Sequence, residues 1–298
     1  MEADCIYEAR SALSESPLWS PGEQVLYWLD QMRPELHRLE PETGRDEAIQ
    51  VELPEQLGAI VPHTGGGLVL AASDGISILA PDLKSRKTLA NPIAHIPRAS
   101  FNDAKCDRQG RLWAGTTDRL ETQQLGALYR FAVEGTSTIW AKDFVCSNGP
   151  SFSPDGKIMY HTRSHERTIY AYDLDPDSGQ ILGERIFATL DSSEGNPDGS
   201  TVDAEGHLWS AHWGGSRVTR YRPDGRIDRV IRIPAEKVTS CAFGGEKMET
   251  LFVTTASIDF NNRSWVFMDE TGFAQTPLAG AIFACDPGVA GLPEPAFG

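Results

Sequence analysis

Short apolar or aromatic runs recur along the whole chain. They read Val25-Leu26-Tyr27-Trp28, Gly67-Leu68-Val69-Leu70, Arg111-Leu112-Trp113-Ala114, Lys157-Ile158-Met159-Tyr160, His207-Leu208-Trp209-Ser210 and Thr250-Leu251-Phe252-Val253. With Tyr27, Val69, Trp113, Met159, Trp209 and Phe252 as equivalent anchors, the spacing is about 42 to 50 residues, the period of propeller blades. A tight turn precedes most anchors, as in Asp107-Arg108-Gln109-Gly110, Ser153-Pro154-Asp155-Gly156 and Asp203-Ala204-Glu205-Gly206. Asp and Pro start such turns, and Gly supplies the positive φ they need. A second alternating stretch follows several anchors, such as Thr168-Ile169-Tyr170-Ala171-Tyr172 and Val218-Thr219-Arg220-Tyr221. No helix-length run of 3.6-residue periodicity interrupts the pattern.

Six units of similar length predict an all-β chain folded as a six-bladed β-propeller, one domain over residues 1–298. A β-sandwich also has many short strands, but equal units favour the propeller. Cys5-Ile6-Tyr7 or Ala281-Ile282-Phe283-Ala284 would supply the strand that closes the ring.

Composition narrows the function classes. Gly (28) and Pro (19) are together about 16% of the chain, above the usual share of roughly 12% and suited to a turn-rich fold. The 42 acidic against 27 basic residues give a net charge of −15, which disfavours nucleic acid and anionic membranes as partners. No apolar run approaches the roughly 20 residues of a membrane span, and Met1-Glu2-Ala3-Asp4 does not begin a signal peptide. Five scattered cysteines without a C-x-x-C pair read as reduced thiols, and a cytoplasmic location is expected.

The repeat also locates a site. The innermost strand of each blade begins at one mouth of the central channel, so equivalent positions from different blades converge there. Counting back eleven or twelve residues from each anchor gives Glu15, Gly58, Asn102, Asn148, Asp198 and Ser240. A divalent cation would neutralise Glu15 and Asp198, and Asn148 would add a neutral oxygen. All-oxygen ligands suit Ca²⁺, Mg²⁺ or Mn²⁺ better than Zn²⁺. Asn and Asp also cap strands and satisfy turn backbones, so spacing alone leaves both readings open.

The segments Glu15-Ser16-Pro17-Leu18-Trp19, Phe101-Asn102-Asp103, Ser147-Asn148-Gly149, Pro197-Asp198-Gly199, Gly214-Gly215-Ser216-Arg217-Val218 and Thr239-Ser240-Cys241-Ala242-Phe243-Gly244-Gly245, in this order, closely resemble the regucalcin (senescence marker protein) and gluconolactonase family. The resemblance runs from about Glu8 to the C-terminus. It implies a six-bladed propeller with one divalent metal, Ca²⁺ first, on Glu15, Asn148 and Asp198. It also implies hydrolysis of a sugar lactone, with Asn102 on the substrate side. Two other functions stay open under it: a non-catalytic calcium-binding regulator, and a phosphoric-ester hydrolase like the related diisopropyl fluorophosphatase propellers.

Two positions depart from the family pattern. The Arg that usually precedes the Asn-Asp pair and binds substrate hydroxyls is Ser100 here, with Arg98 two residues earlier. Where an Asp is common after the second strand of the fourth blade, the chain reads His161-Thr162-Arg163-Ser164. By repeat equivalence Arg163 shares a rim with Thr117 and Trp213, and it is expected to supply the missing cationic donor. His212 and Trp213 are expected to overhang the mouth, and Asn102, Ser100, Arg163 and Trp213 are the expected substrate-binding residues.

Other signals read as structure. Asp173 to Glu184 imitates an EF-hand loop, but its Gly is late and Pro176 interrupts it, so an acidic hairpin turn is expected. His161 and His165 lack the H-E-x-x-H context and fit a pocket rim. No G-x-S-x-G, P-loop or G-x-G-x-x-G occurs. With no nucleophilic Ser or Cys indicated, water is the expected attacker. Asp198 is the first choice for its base and Asp103 the second.

Overall fold

The six apolar tetrapeptides all fall at the start of the second strand of an antiparallel four-strand run, with Gly67, Arg111, Lys157 and His207 just ahead of theirs. The computed structural model describes residues 1–258 and 278–298, so the part of the expected single-domain span at 259–277 lies outside the described residues. After β1 (Asp4–Tyr7), the strands β2 (Ser14–Ser20), β3 (Val25–Asp30), β4 (Glu35–Glu40) and β5 (Arg45–Ala48) pair in order. The second sheet holds β6 (Leu57–Pro62), β7 (Leu68–Ala72), β8 (Gly75–Leu79) and β9 (Arg86–Ala90). The third holds β10 (Ala99–Cys106), β11 (Leu112–Asp118), β12 (Gly126–Phe131) and β13 (Ser137–Phe144). The fourth holds β14 (Ser147–Phe152), β15 (Ile158–Arg163), β16 (Thr168–Leu174) and β17 (Ile181–Thr189).

The remaining strands form one eight-stranded sheet made of two such runs. One is β18 (Asn196–Val202), β19 (Leu208–Trp213), β20 (Arg217–Tyr221) and β21 (Ile227–Arg232); the other is β22 (Lys237–Gly244), β23 (Thr250–Ala256) and β24 (Ile282–Cys285), with β1 on its outer edge. A single residue pair, Trp213 with Lys237, joins them. Both candidate closing segments are therefore used: β24 is the third strand of the last run and β1 the fourth. Helical structure among the described residues is limited to the short turns Ser164–Glu166 and Ser192–Glu194, and no helix there is long and apolar enough to cross a membrane.

The runs touch through their first strands in a closed cycle: β2 lies against β6, β6 against β10, β10 against β14, β14 against β18, β18 against β22, and β22 against β2. Apolar side chains fill the space between each neighbouring pair. Phe101 and Leu112 meet Val69 and Ile76; Trp113 and Phe144 meet Met159 and Tyr172; Tyr160 and Ile169 meet Leu208 and Tyr221. Trp209 and Val218 meet Phe243 and Phe283; Trp28 and Leu26 meet Phe252 and Ile282; Leu29 and Leu36 meet Leu68 and Leu70. Among the described residues, stability thus comes from six cores rather than one, each burying large side chains worth roughly 1.5–3 kcal/mol apiece.

The pre-anchor turns are tied to these cores. In D-x-x-G-x-x-W, the Trp113 Nε1–H donates to Asp107 at 3.1 Å, and Trp209 Nε1–H to Asp203 at 2.8 Å. Gly110 and Gly206 take the left-handed φ (79° and 83°) that closes each turn. Asp203 is fully buried and neutralised by the buried Arg220, which also reaches Glu205 and Asp228.

Candidate active site

Every first strand carries a bulge at the same depth. The ladders shift register between Glu15 and Leu18, Leu57 and Ala59, Phe101 and Asp103, Asn148 and Ser151, Pro197 and Ser200, and Val238 and Ser240. An extra residue in a strand bends it and redirects a side chain out of the pleat. The residues at or within these shifts include Glu15, Gly58, Asn102, Asn148 and Asp198. Gly58 leaves its place bare because a Cβ would come within 2.5 Å of the Phe101 carbonyl oxygen of the next strand.

Glu15, Asn102, Asn148, Asp198 and Trp213 line one cavity, together with Gln31, Gln56, Thr117, Arg119, Glu121, Ser164 and His165. Asn102 Nδ2 donates to the Asn148 Oδ1 and to the Ser147 carbonyl, both at 2.9 Å. Asn148 Nδ2 donates in turn to Ser164 Oγ at 2.8 Å, which fixes which face of the amide presents oxygen. Glu15 Oε2 accepts the Ser16 N–H at 2.9 Å.

The electrostatics of this cluster are those of acids without enough counter-charge. Burial, then repulsion from Asp103, pushes Glu15 up to about 8. Burial, followed by Glu15, Asp103 and Glu121, holds Asp198 well above the usual carboxylate range. Glu121 is pushed up to about 7 by burial and by Asp118, and Asp103 to about 7 by burial. Buried carboxylates that repel one another are relieved by protonation or by a cation. Two carboxyl groups and a carboxamide oxygen form a hard donor set, which fits a divalent cation of the Ca²⁺, Mg²⁺ or Mn²⁺ kind.

Not every expected residue reaches the cavity. Ser100 is fully buried opposite Thr117, and its hydroxyl donates to the Phe101 carbonyl at 3.0 Å. Arg163 also lies outside the lining. Its guanidinium contacts Tyr172 at 3.2 Å, Glu184 at 3.3 Å and Glu166 at 3.7 Å, and it stacks 4.2 Å from the Tyr170 ring centre. Glu166 in the turn after β15, Glu184 on β17 and the Tyr170 ring on β16 hold it there. Trp213 lines the mouth as expected, whereas His212 is buried, with Nδ1 at 2.9 Å from the Glu194 carbonyl. Asp103, the second choice of base, accepts backbone N–H groups from Ala104 (2.8 Å) and Gly149 (2.9 Å) outside this cavity. His165 sits on the rim, while His161 is buried against Ser147 Oγ (2.7 Å) and pushed down to about 3 by desolvation. The EF-hand-like stretch spans the β16–β17 hairpin, where Asp175 accepts backbone N–H groups of Asp177 and Ser178.

Sequence reasoning missed Gln31, Arg119, Glu121 and Ser164. They share a signal: each follows the second strand of its run, four to eight residues past the anchor. The rim offset shared by Thr117, Arg163 and Trp213 also picks out Gln31, whereas the other three lie one to four residues further on, in the loops that follow the strands.

Residues 13–257 match the SMP-30/Gluconolactonase/LRE-like region. The chain belongs to that family. It is 36% identical to a 6-deoxy-6-sulfogluconolactonase of Pseudomonas putida, over 98% of this chain and 97% of that protein. It is 34% identical to a pentonolactonase of Haloferax volcanii, over 97% of this chain and 96% of that protein. Among solved structures it resembles the calcium-binding protein regucalcin of Agrobacterium tumefaciens, with a TM-score of 0.89 and 27% identity, covering 100% of this chain and 97% of that one.

Proposed function

We propose that the chain is a six-bladed propeller that hydrolyses a sugar lactone to the aldonic acid, with one divalent cation held by Glu15, Asn148 and Asp198. The closed cycle of first strands and the six interleaved cores support the blade number. The observation that carries the activity is the meeting of Glu15, Asn102, Asn148 and Asp198 in one cavity of a chain that shares about a third of its residues with two lactonases over nearly its full length.

When bound, the cation polarises the lactone carbonyl as a Lewis acid. Asp198 has two oxygens, one for ligation and one to take the proton of the attacking water. Water forms the new bond to the carbonyl carbon, the ring C–O bond breaks, and Asp198 returns the proton to the departing ring oxygen. The Asn102 amide, held against Asn148, orients the lactone's oxygens, and Trp213 covers one side of the mouth. A lactone is an activated ester, so this set suffices without a side-chain nucleophile.

A panel of aldonolactones followed by proton release, after chelation and after return of Ca²⁺, Zn²⁺, Mg²⁺ or Mn²⁺ in turn, tests the reading. Cation-dependent turnover supports it, with Ca²⁺ the first expectation. Tight cation binding with no turnover would instead make the chain a calcium-binding regulator. A cytoplasmic setting belongs to the same reading, in line with five scattered cysteines that form no C-x-x-C pair.

A further inference from the structure

Two arginines lie side by side at the cavity edge, and the fold treats them differently. They are neighbours across the β10–β11 pair, with the Arg119 N–H donating to the Arg98 carbonyl at 2.8 Å. Arg98 is committed. Its guanidinium grips both carboxylate oxygens of the fully buried Asp118 and donates to Thr122 Oγ1 at 2.6 Å. Backbone N–H groups of Leu120, Thr122 and Gln123 converge on the same carboxylate. Arg119 extends instead toward the second sheet, where its Nε–H donates to the neutral Gln56 Oε1 at 3.0 Å. The acid beside it, Glu55, is 3.6 Å away and its side chain is 85% exposed. Arg119 therefore faces the acid-lined cavity with guanidinium donors still to offer.

It also faces a second space. An adjoining groove is lined by Met32, Glu55, Gln56, Arg98, Arg119 and Leu120, and shares Met32, Gln56 and Arg119 with the cavity. The two spaces differ in charge: buried carboxyls dominate the first, whereas in the second Arg98 is matched by Asp118 and Arg119 stands against one solvated acid. A ligand with an anionic end would be repelled by the cavity and drawn to the groove, leaving its uncharged end among the carboxyls.

We infer that Arg119 is a specificity-determining residue, binding an anionic group (carboxylate, sulfonate or phosphate) on the exocyclic end of the lactone while the ester lies in the cavity. It thus supplies, from the end of β11, the cation that Ser100 cannot supply from β10. A guanidinium fork matches planar or tetrahedral oxyanions with two parallel hydrogen bonds. The inference rests on the lactonase reading above.

The test compares glucono-1,5-lactone with the same ring carrying a carboxylate or a sulfonate at C6, using the full chain with its cation. The measured quantity is the ratio of kcat/KM for the charged over the neutral lactone. Wild type prefers the charged substrate, and the preference shrinks as salt is raised. Arg119→Met collapses the ratio by about tenfold or more, mainly through KM, and Arg119→Lys recovers part of it. Glu55→Gln, a change at a solvent-exposed acid, moves the ratio the other way, upward by about two- to fivefold. A ratio unmoved by both Arg119→Met and Glu55→Gln, in an enzyme that turns over lactones, overturns this inference alone. Absence of turnover on either lactone in wild type overturns the lactonase reading and this inference with it.

Discussion

Asn102 and Asn148 are joined by a 2.9 Å hydrogen bond between the bulges of two adjacent first strands, so the oxygen one sheet offers the cavity is aimed by its neighbour. Ser164 holds the other end of the same amide. Asn148 is thus fixed in orientation before any ligand arrives. Replacing Asn102 with Ala should weaken cation affinity and lower kcat/KM, each by about 10- to 100-fold, as loss of a partner that orients a metal ligand does elsewhere. Titration calorimetry and lactone hydrolysis on the same preparation check both.

Asp198→Asn should lower kcat by about 10²- to 10⁴-fold, the range for loss of a general base. The same change removes one acid from a crowded group. The chelated variant should therefore melt no lower than chelated wild type, despite being inactive. A lower Tm would mean that Asp198 makes a stabilising contact in the metal-free fold.

Cation binding near pH 7 should release protons. Glu15, pushed up to about 8, keeps its proton there until a cation displaces it. Calorimetry in two buffers of different ionisation enthalpy reads the number released, and the share from Glu15 should vanish above about pH 9. The linked stability effect has a definite sign. Unfolded, this carboxyl ionises near its ordinary 4.5; folded, it holds its proton to about 8. The metal-free protein should then lose stability as pH rises through that window, and saturating cation should flatten the loss.

Arg220→Met should destabilise the fold by about 3–5 kcal/mol, because it strands a fully buried carboxylate. Asp203 also receives Trp209, and its turn anchors the fifth run, so the damage should appear in urea unfolding as a shifted midpoint. Pairing the change with Asp203→Asn should recover part of it.

Much of this was legible in the sequence. The second strands were visible because each is packed between two neighbouring sheets and reads as a near-continuous apolar run. The first-strand residues were visible because blades of similar length place them at one offset. What the repeat could not convey was the bulge. Asp103 and Asp198 each stand close to a carboxamide or proline in similar motifs, yet Asp198 falls within its bulge while Asp103 has already rejoined the ladder opposite Gly115. One residue of register sends the two carboxylates to different spaces. Arg163 was misplaced for a different reason. Its position on the strand was right, but Glu166, Glu184 and Tyr170 compete for the guanidinium, and that competition is decided across strands rather than along the chain. Arg119 lies six residues past its anchor, beyond the strand end, where loops of unequal length blur the offset that the strands keep.

The pairing of β1 with β24 has a consequence for how the protein is made. Asp4 meets Ala284 and Cys5 meets Phe283, so residues far apart in the sequence share one sheet. Contacts of such long sequence separation form slowly, since loop entropy must be overcome before they contribute. During synthesis the first strand emerges long before its partner exists, and it waits as an unpaired edge while the intervening sheets fold one after another. Closure of the cycle should therefore come late in folding, drawing the crowded acids at its centre together as β1 meets β24.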